Sequence, residues 1–181
     1  VYSIDDKVII KKTTEENLKE ILVLWNNGEV MKWVGFPKGL NMTDSHIWGW
    51  YCNISLRDWA YHFVVYHQEV GFCGELYYDI DVKYKRAGLD IKFLPTAQGK
   101  GLASKAFISM INHIFENEKN ILSVWAEPTN GNFKAKKLFA RCGLKETIPA
   151  EFAEPKESYW ELKREDWLQI NYKRKLAKEN I

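Results

Sequence analysis

The sequence predicts an α/β protein with a mixed sheet and helices on both faces. Segments with the i, i+3, i+4 apolar spacing of a helix alternate along the chain with short β-branched or aromatic runs. Two of those runs, residues 61–67 and 70–78, are separated only by Gln68-Glu69, which is hairpin spacing. A glycine-rich stretch, Gln98-Gly99-Lys100-Gly101-Leu102-Ala103, joins a strand pattern to a long helical one.

The elements follow in order. Val8-Ile9-Ile10 reads as an opening strand. Thr13-Thr14-Glu15-Glu16 reads as a capping box, with Thr13 and Glu16 exchanging hydrogen bonds at a helix start. Leu18, Ile21, Leu22 and Trp25 lie on one face of that helix, and Gly28 is expected to end it as a left-handed cap. Gly35, Pro37 and Gly39 mark a loop before a second helix over residues 43–55. The hairpin comes next, then a charged segment, 79–86, and a strand over 87–94 ended by Pro95. In that strand Leu89, Ile91 and Phe93 alternate with Asp90 and Lys92.

A helix is expected over residues 98–115, with apolar pairs recurring every fourth residue. A strand at 121–126 precedes a helix capped by Asn132 and stopped by Gly143. Strands at 144–148 and 158–162 follow. The last helix, 166–179, is basic and carries Leu168, Tyr172 and Leu176 on its apolar face.

A length of 181 residues predicts one domain, and 46% apolar residues suffice for a core without staples. The net charge of +2 is too small to indicate a nucleic-acid surface. Cys52, Cys73 and Cys142 form no close pair and no zinc-like spacing, so reduced thiols and no metal site are expected. The first seven residues are polar and charged, unlike a signal peptide, and no apolar run approaches the roughly 18 residues of a membrane span. These features predict a cytoplasmic protein without a membrane partner. Eight tryptophans raise the aromatic content to 14%, and a few of the early cluster are expected to wall a substrate groove.

The stretch at 98–103 carries the chemistry. Two glycines at a strand-to-helix junction let the backbone approach a ligand without a Cβ in the way. The first amides of the helix sit at the positive end of its dipole, a combination that binds phosphates. A Walker loop is excluded, because Gly101 follows Gly99-Lys100 and Leu94 stands at the earlier glycine position. Ser104 stands where a dinucleotide fingerprint needs glycine.

Ile91-Lys92-Phe93-Leu94-Pro95-Thr96-Ala97-Gln98-Gly99-Lys100-Gly101-Leu102-Ala103 resembles the acetyl-CoA signature of the GNAT superfamily, Arg/Gln-x-x-Gly-x-Gly/Ala after a strand. The stretch from Asn132 to Leu144, with Ala135, Leu138 and Phe139, is similar to that family's Asn-x-x-Ala-x-x-Leu-Tyr helix. The resemblance implies the GNAT fold, with a mostly antiparallel central sheet, as a single N-acetyltransferase domain over residues 1–181. Its core would span 7–163, with 164–181 an extra C-terminal helical extension.

The resemblance also implies acetyl-CoA as co-substrate, no metal, and direct transfer of acetyl to a primary amine in a ternary complex. The acceptor would be a protein N-terminus, a small polyamine or an aminoglycoside, and a homodimer is common in the family. Gln98, Gly99, Lys100, Gly101, Leu102 and Ala103 would hold the pyrophosphate. Phe93 and Leu94 would pair with the pantetheine, the Phe93 amide serving as oxyanion donor, and Asn132 and Phe139 would also contact the cofactor. Phe139 replaces the Tyr that often serves as general acid, and Phe cannot donate a proton to the leaving thiolate. Loss of that acid is tolerable for a thiol leaving group of pKa about 8.5.

An amine of pKa about 10.4 must lose a proton, so a base is needed. Glu75 and Asp90 are the candidates, since a hairpin turning near Val82-Lys83 would set them opposite each other and raise an apparent pKa. The plainer reading pairs them with Lys92 or with solvent. Glu29, Trp33, Phe36 and Trp48 are the acceptor-groove candidates, aromatic walls with a carboxylate suiting a cationic amine. The alternative from another class is a non-catalytic CoA-binding module with a partner-binding aromatic surface.

Overall fold

A computed structural model of the protein describes residues 2–5, 7–148 and 157–179. Its backbone divides into two compact units, Val1–Asp79 with Leu89–Met110, and Ile80–Gly88 with Ile111–Ile181.

In the first unit the strands lie in the order β1 (Tyr2–Asp5), β2 (Val8–Lys12), β3 (Ala60–His67), β4 (Gly71–Asp81) and β5 (Arg86–Phe93). The first three pairings are antiparallel. Helix α1 (Leu18–Trp25) fully buries Leu18, Ile21 and Leu24, and Leu22 and Trp25 of the expected face are partly buried beside them. Leu18 and Ile21 join Ile47 of α3 (Asp44–Ser55) and Val64 of β3 in one cluster. Between these helices lies the short α2 (Gly28–Met31).

Two local expectations are corrected. Thr14, not Thr13, opens the first helical turn: its amide and hydroxyl both donate to Asn17 Oδ1, at 3.0 and 3.1 Å. Thr13 Oγ1 instead lies 2.7 Å from His62 Nδ1, the stronger use for a buried hydroxyl. Gly28 is not a left-handed cap. Asn27 caps α2 there, and glycine is required because a Cβ would stand 2.3 Å from the Pro37 carbonyl oxygen.

A β-bulge in β4 positions the site. Val65 pairs with Gly74 but Tyr66 pairs with Phe72, so Cys73 is an extra residue. The bulge resets the side-chain phase, and Phe72 and Glu75 therefore both reach the helix-covered face. At Gly74, φ is +155°, and a Cβ would lie 2.0 Å from the Lys92 carbonyl oxygen. Only glycine lets β4 approach β5 this closely.

In the second unit the opening residues of β5 pair in parallel with β6 (Ser123–Ala126), from Arg86↔Ser123 to Gly88↔Trp125. Strand β8 (Tyr159–Lys163) follows antiparallel to β6, and β7 (Lys145–Thr147) antiparallel to β8. Helix α5 (Phe133–Cys142) has the expected ends: Asn132 Oδ1 accepts from the Ala135 amide at 3.2 Å, and Gly143 takes φ 99°. Cys142 is buried packing.

Helix α4 (Leu102–Asn117) contributes to both units, and in the second its carbonyl end is capped by Arg164, which donates to the carbonyls of Phe115, Glu118 and Ile121. Helix α6 (Arg164–Glu179) presents a different face from the expected one. Leu168 and Tyr172 are exposed, whereas Trp167 donates to Asn112 Oδ1 and stacks near Phe115. Leu176 lies outside the residues whose side chains are described.

Candidate active site

Alternation along three neighbouring strands builds an open cleft of about 200 Å³ in the first unit. His62 of β3, Glu75 and Tyr77 of β4, and Asp90 and Lys92 of β5 line it. Trp25 from the end of α1, Trp50, Asn53 and Ile54 from α3, and Arg57 just beyond complete the lining. Trp50 meets Trp25 edge-on at 4.7 Å and His62 at 4.8 Å, fixing both rings.

Glu75 is the centre of the charge network. Its Oε2 accepts from Trp25 Nε1 at 2.8 Å and lies 3.1 Å from His62 Nε2, while Oε1 is 3.1 Å from Lys92 Nζ. Burial alone would raise the Glu75 pKa, but Lys92 and His62 outweigh it, and the value falls to about 2. Lys92 is also buried, which lowers its pKa, yet Asp90 and Glu75 outweigh this and hold it above the ordinary lysine value. The Lys92 ammonium thus contacts both Glu75 and Asp90.

This corrects the expectation of two carboxylates raising each other's pKa. Strand β4 runs to Asp81 and β5 begins at Arg86, so the hairpin turns one residue later than expected. That register sets Lys92, not Asp90, against Glu75. Asp90 reaches the cleft on its own alternation, shared with Lys92, and its side chain stays 44% exposed while Glu75 is sealed. Tyr77 remains a phenol: burial and Asp79, which accepts a hydrogen bond from its hydroxyl at 3.2 Å, push its pKa up.

The glycine loop grows from the same strand. The Leu94 amide donates to the Cys73 carbonyl at 2.8 Å, and Gln98 Nε2 donates to the Phe93 carbonyl at 3.0 Å. Gln98 thereby ties the loop to the end of β5. Gly99 and Gly101 take φ 77° and 75°, and a Cβ on either would meet no heavy atom within 4 Å. Backbone conformation, not crowding, demands glycine there, and the loop surface is open to an approaching anion. Lys100 between them is exposed, and α4 begins directly after.

The acceptor-groove candidates fall elsewhere. Glu29 pairs with Lys32 at 2.7 Å, Trp33, Phe36 and Trp48 are exposed, and none of the four lines the cleft. Trp25, Trp50, Arg57, His62 and Lys92 line it instead. The available signal was phase: Glu75 and Tyr77, and Asp90 and Lys92, stand two apart on their strands, and His62 pairs with Tyr77 across β3 and β4. In the second unit, Asn132 serves as a helix cap and Phe139 is buried.

A family model described as an acetyltransferase (GNAT) domain matches residues 7–145, and the chain belongs to this family of N-acetyltransferases. A search of curated protein sequences finds no match. Solved structures share the fold. One is a spermidine N-acetyltransferase from Vibrio cholerae in complex with CoA and spermine, TM-score 0.76 at 19% identity, covering 91% of this chain and 99% of that one. Another is the aminoglycoside acetyltransferase AAC(6')-Ib with coenzyme A, TM-score 0.74 at 14% identity, covering 90% and 98%. A third is a ribosomal α-N-protein acetyltransferase with coenzyme A, TM-score 0.74 at 16% identity, covering 89% and 96%. Among the described residues, no group of His, Cys, Asp or Glu could hold a metal ion. Nor is any described helix long and apolar enough to cross a membrane.

Proposed function

We propose that the protein transfers the acetyl group of acetyl-CoA to a primary amine by direct attack in a ternary complex. The observation that carries this reading is one strand serving two features. β5 presents Asp90 and Lys92 to the cleft and ends in Phe93, whose carbonyl Gln98 ties to the open glycine loop. Lys92 of the cleft thus stands next to Phe93, the last residue of β5.

Each part has a role. The amides at Gly99 to Ala103, with Lys100, receive the pyrophosphate, and the pantetheine lies along the end of β5 beside Phe93 and Leu94. Acetyl-CoA supplies the thioester carbonyl. The Phe93 amide stabilises the charge that develops on its oxygen. Asp90, half-open to solvent, is the carboxylate we assign to the amine proton, directly or through one water. Glu75, with a pKa of about 2 and three donors, acts as a fixed anion that orients Lys92 and His62. Residue 139 is Phe, so no tyrosine hydroxyl there protonates the CoA thiolate as it leaves.

Release of free thiol from acetyl-CoA, measured across a panel of primary amines, tests the reading. Amine-dependent release is the expected result. Tight CoA binding with no release on any amine would overturn it in favour of a binding module.

A further inference from the structure

The charges that line the cleft balance within the chain. Glu75 and Asp90 supply two carboxylates, and the Lys92 ammonium contacts both, with its side chain only 14% exposed. Arg57 lines the same cleft; its guanidinium donates to Asn53 Oδ1 at 2.6 Å and lies over the Trp59 ring, and no carboxylate pairs with it among the described residues. Two anions therefore face two fixed cations, one of them placed where an incoming ammonium would find its carboxylate partners.

A polycation gains from a site with unneutralised carboxylates and is repelled by fixed cations beside it. We infer that Lys92 is a specificity-determining residue: a built-in ammonium that fills the second cation position, so that the cleft takes acceptors with a single positive charge and discriminates against polyamines and aminoglycosides. The inference rests on the amine-acetyltransferase reading above and narrows its substrate class. Among acceptors, it favours an isolated amine such as a peptide N-terminus.

Three forms of the protein test this with matched acceptors, spermidine against a monoamine of similar length and a short neutral peptide with a free N-terminus. The readouts are kcat/KM for each acceptor and calorimetric binding of spermidine to the CoA-loaded protein. Wild type should favour the monoamine or peptide over spermidine by tenfold or more. Lys92→Gln leaves the cleft with one excess negative charge and should shift the ratio at least tenfold toward spermidine, with tighter spermidine binding. The double variant Glu75→Gln with Lys92→Gln restores the balance and should return the wild-type preference, which separates charge count from general damage to the cleft. The double variant also leaves no unpaired carboxylate in the interior, so it remains readable if Lys92→Gln alone folds poorly.

A wild type that prefers spermidine, or a double variant that keeps the spermidine preference, would overturn the inference. Absence of thiol release with every acceptor would instead count against the acetyltransferase reading, and spermidine binding by calorimetry would still decide the role of Lys92.

Discussion

Trp25 Nε1 donates to Glu75 Oε2 at 2.8 Å, joining the last residue of α1 to a buried carboxylate of β4 across fifty residues of sequence. With His62 and Lys92 on the remaining positions, Glu75 is ionised inside the protein and fully paired. Such a group stabilises only through its partners, and its balance shifts when any one is lost.

The first prediction concerns acid. The folded-state pKa of Glu75 is about 2, below its ordinary 4.5, so its contribution is complete above pH 4.5 and is lost as pH falls toward 2. The shift corresponds to a contribution on the order of 3 kcal/mol. Glu75→Gln should lower stability at pH 7 and flatten the fall in stability between pH 4.5 and 2. Urea denaturation at several pH values measures both effects. Parallel acid profiles for the variant and wild type would show that other carboxylates govern acid unfolding.

How much of this was legible in the sequence depends on what each feature rests upon. The helices α1 and α5 and the loop at 98–103 were readable because periodicity, Asn132, Gly143 and the paired glycines are local signals. The family resemblance came from the same local blocks. The cleft was only partly readable: Glu75 and Asp90 share a face by alternation, but the hairpin centred one residue later decides that Lys92 stands against Glu75, and only the fold brings Trp25, Trp50 and Arg57 over them. The aromatic candidates lie outside the cleft for a related reason. Trp33, Phe36 and Trp48 have the right chemistry, but only the fold decides that Trp25 and Trp50 face the strands. The face of α6 was misread because Trp167, not Leu168, finds a partner.

The second prediction tests the close approach of β4 and β5. Gly74→Ala places a methyl 2.0 Å from the Lys92 carbonyl oxygen, on backbone that cannot yield without parting the strands. Overpacking of this kind costs about 1–3 kcal/mol. The same displacement moves Lys92 from Glu75, so amine turnover should fall alongside the urea midpoint. A variant with an unchanged midpoint would mean that the two strands have room to separate at the bulge.

The third prediction separates the loop from the fold. Gly101 has φ 75°, and a methyl there meets nothing within 4 Å, so Gly101→Ala strains the backbone by only about 1–2 kcal/mol. That methyl lies on the open loop surface. Calorimetry should show at least a tenfold loss of CoA affinity in a variant that still unfolds cooperatively. Lys100→Ala should lose less, and its loss should vanish at high salt, because an exposed charge is screened. Equal CoA affinity in wild type and Gly101→Ala would remove the loop from the cofactor site.

The last prediction asks whether Asp90 moves a proton or only holds Lys92. Both roles are open to it, since its carboxylate contacts the Lys92 ammonium, accepts from the Ile91 amide at 2.8 Å and remains 44% exposed. A general base is worth about 10²–10⁴ in rate, and its value depends on how much of the amine is still protonated. If Asp90 takes the proton, Asp90→Asn should lower kcat by a factor in that range near neutrality while CoA affinity holds. The deficit should then shrink as pH climbs toward the amine pKa of about 10.4, where the acceptor arrives already neutral. A purely positional role predicts something different. Lys92 would lose one of its two carboxylates at every pH, so the deficit would stay constant, and KM for the acceptor would change with kcat. The pH profile of Asp90→Asn, from 6 to 10 with one monoamine acceptor, distinguishes the two. A constant deficit would leave proton removal to water and reduce Asp90 to a partner of Lys92.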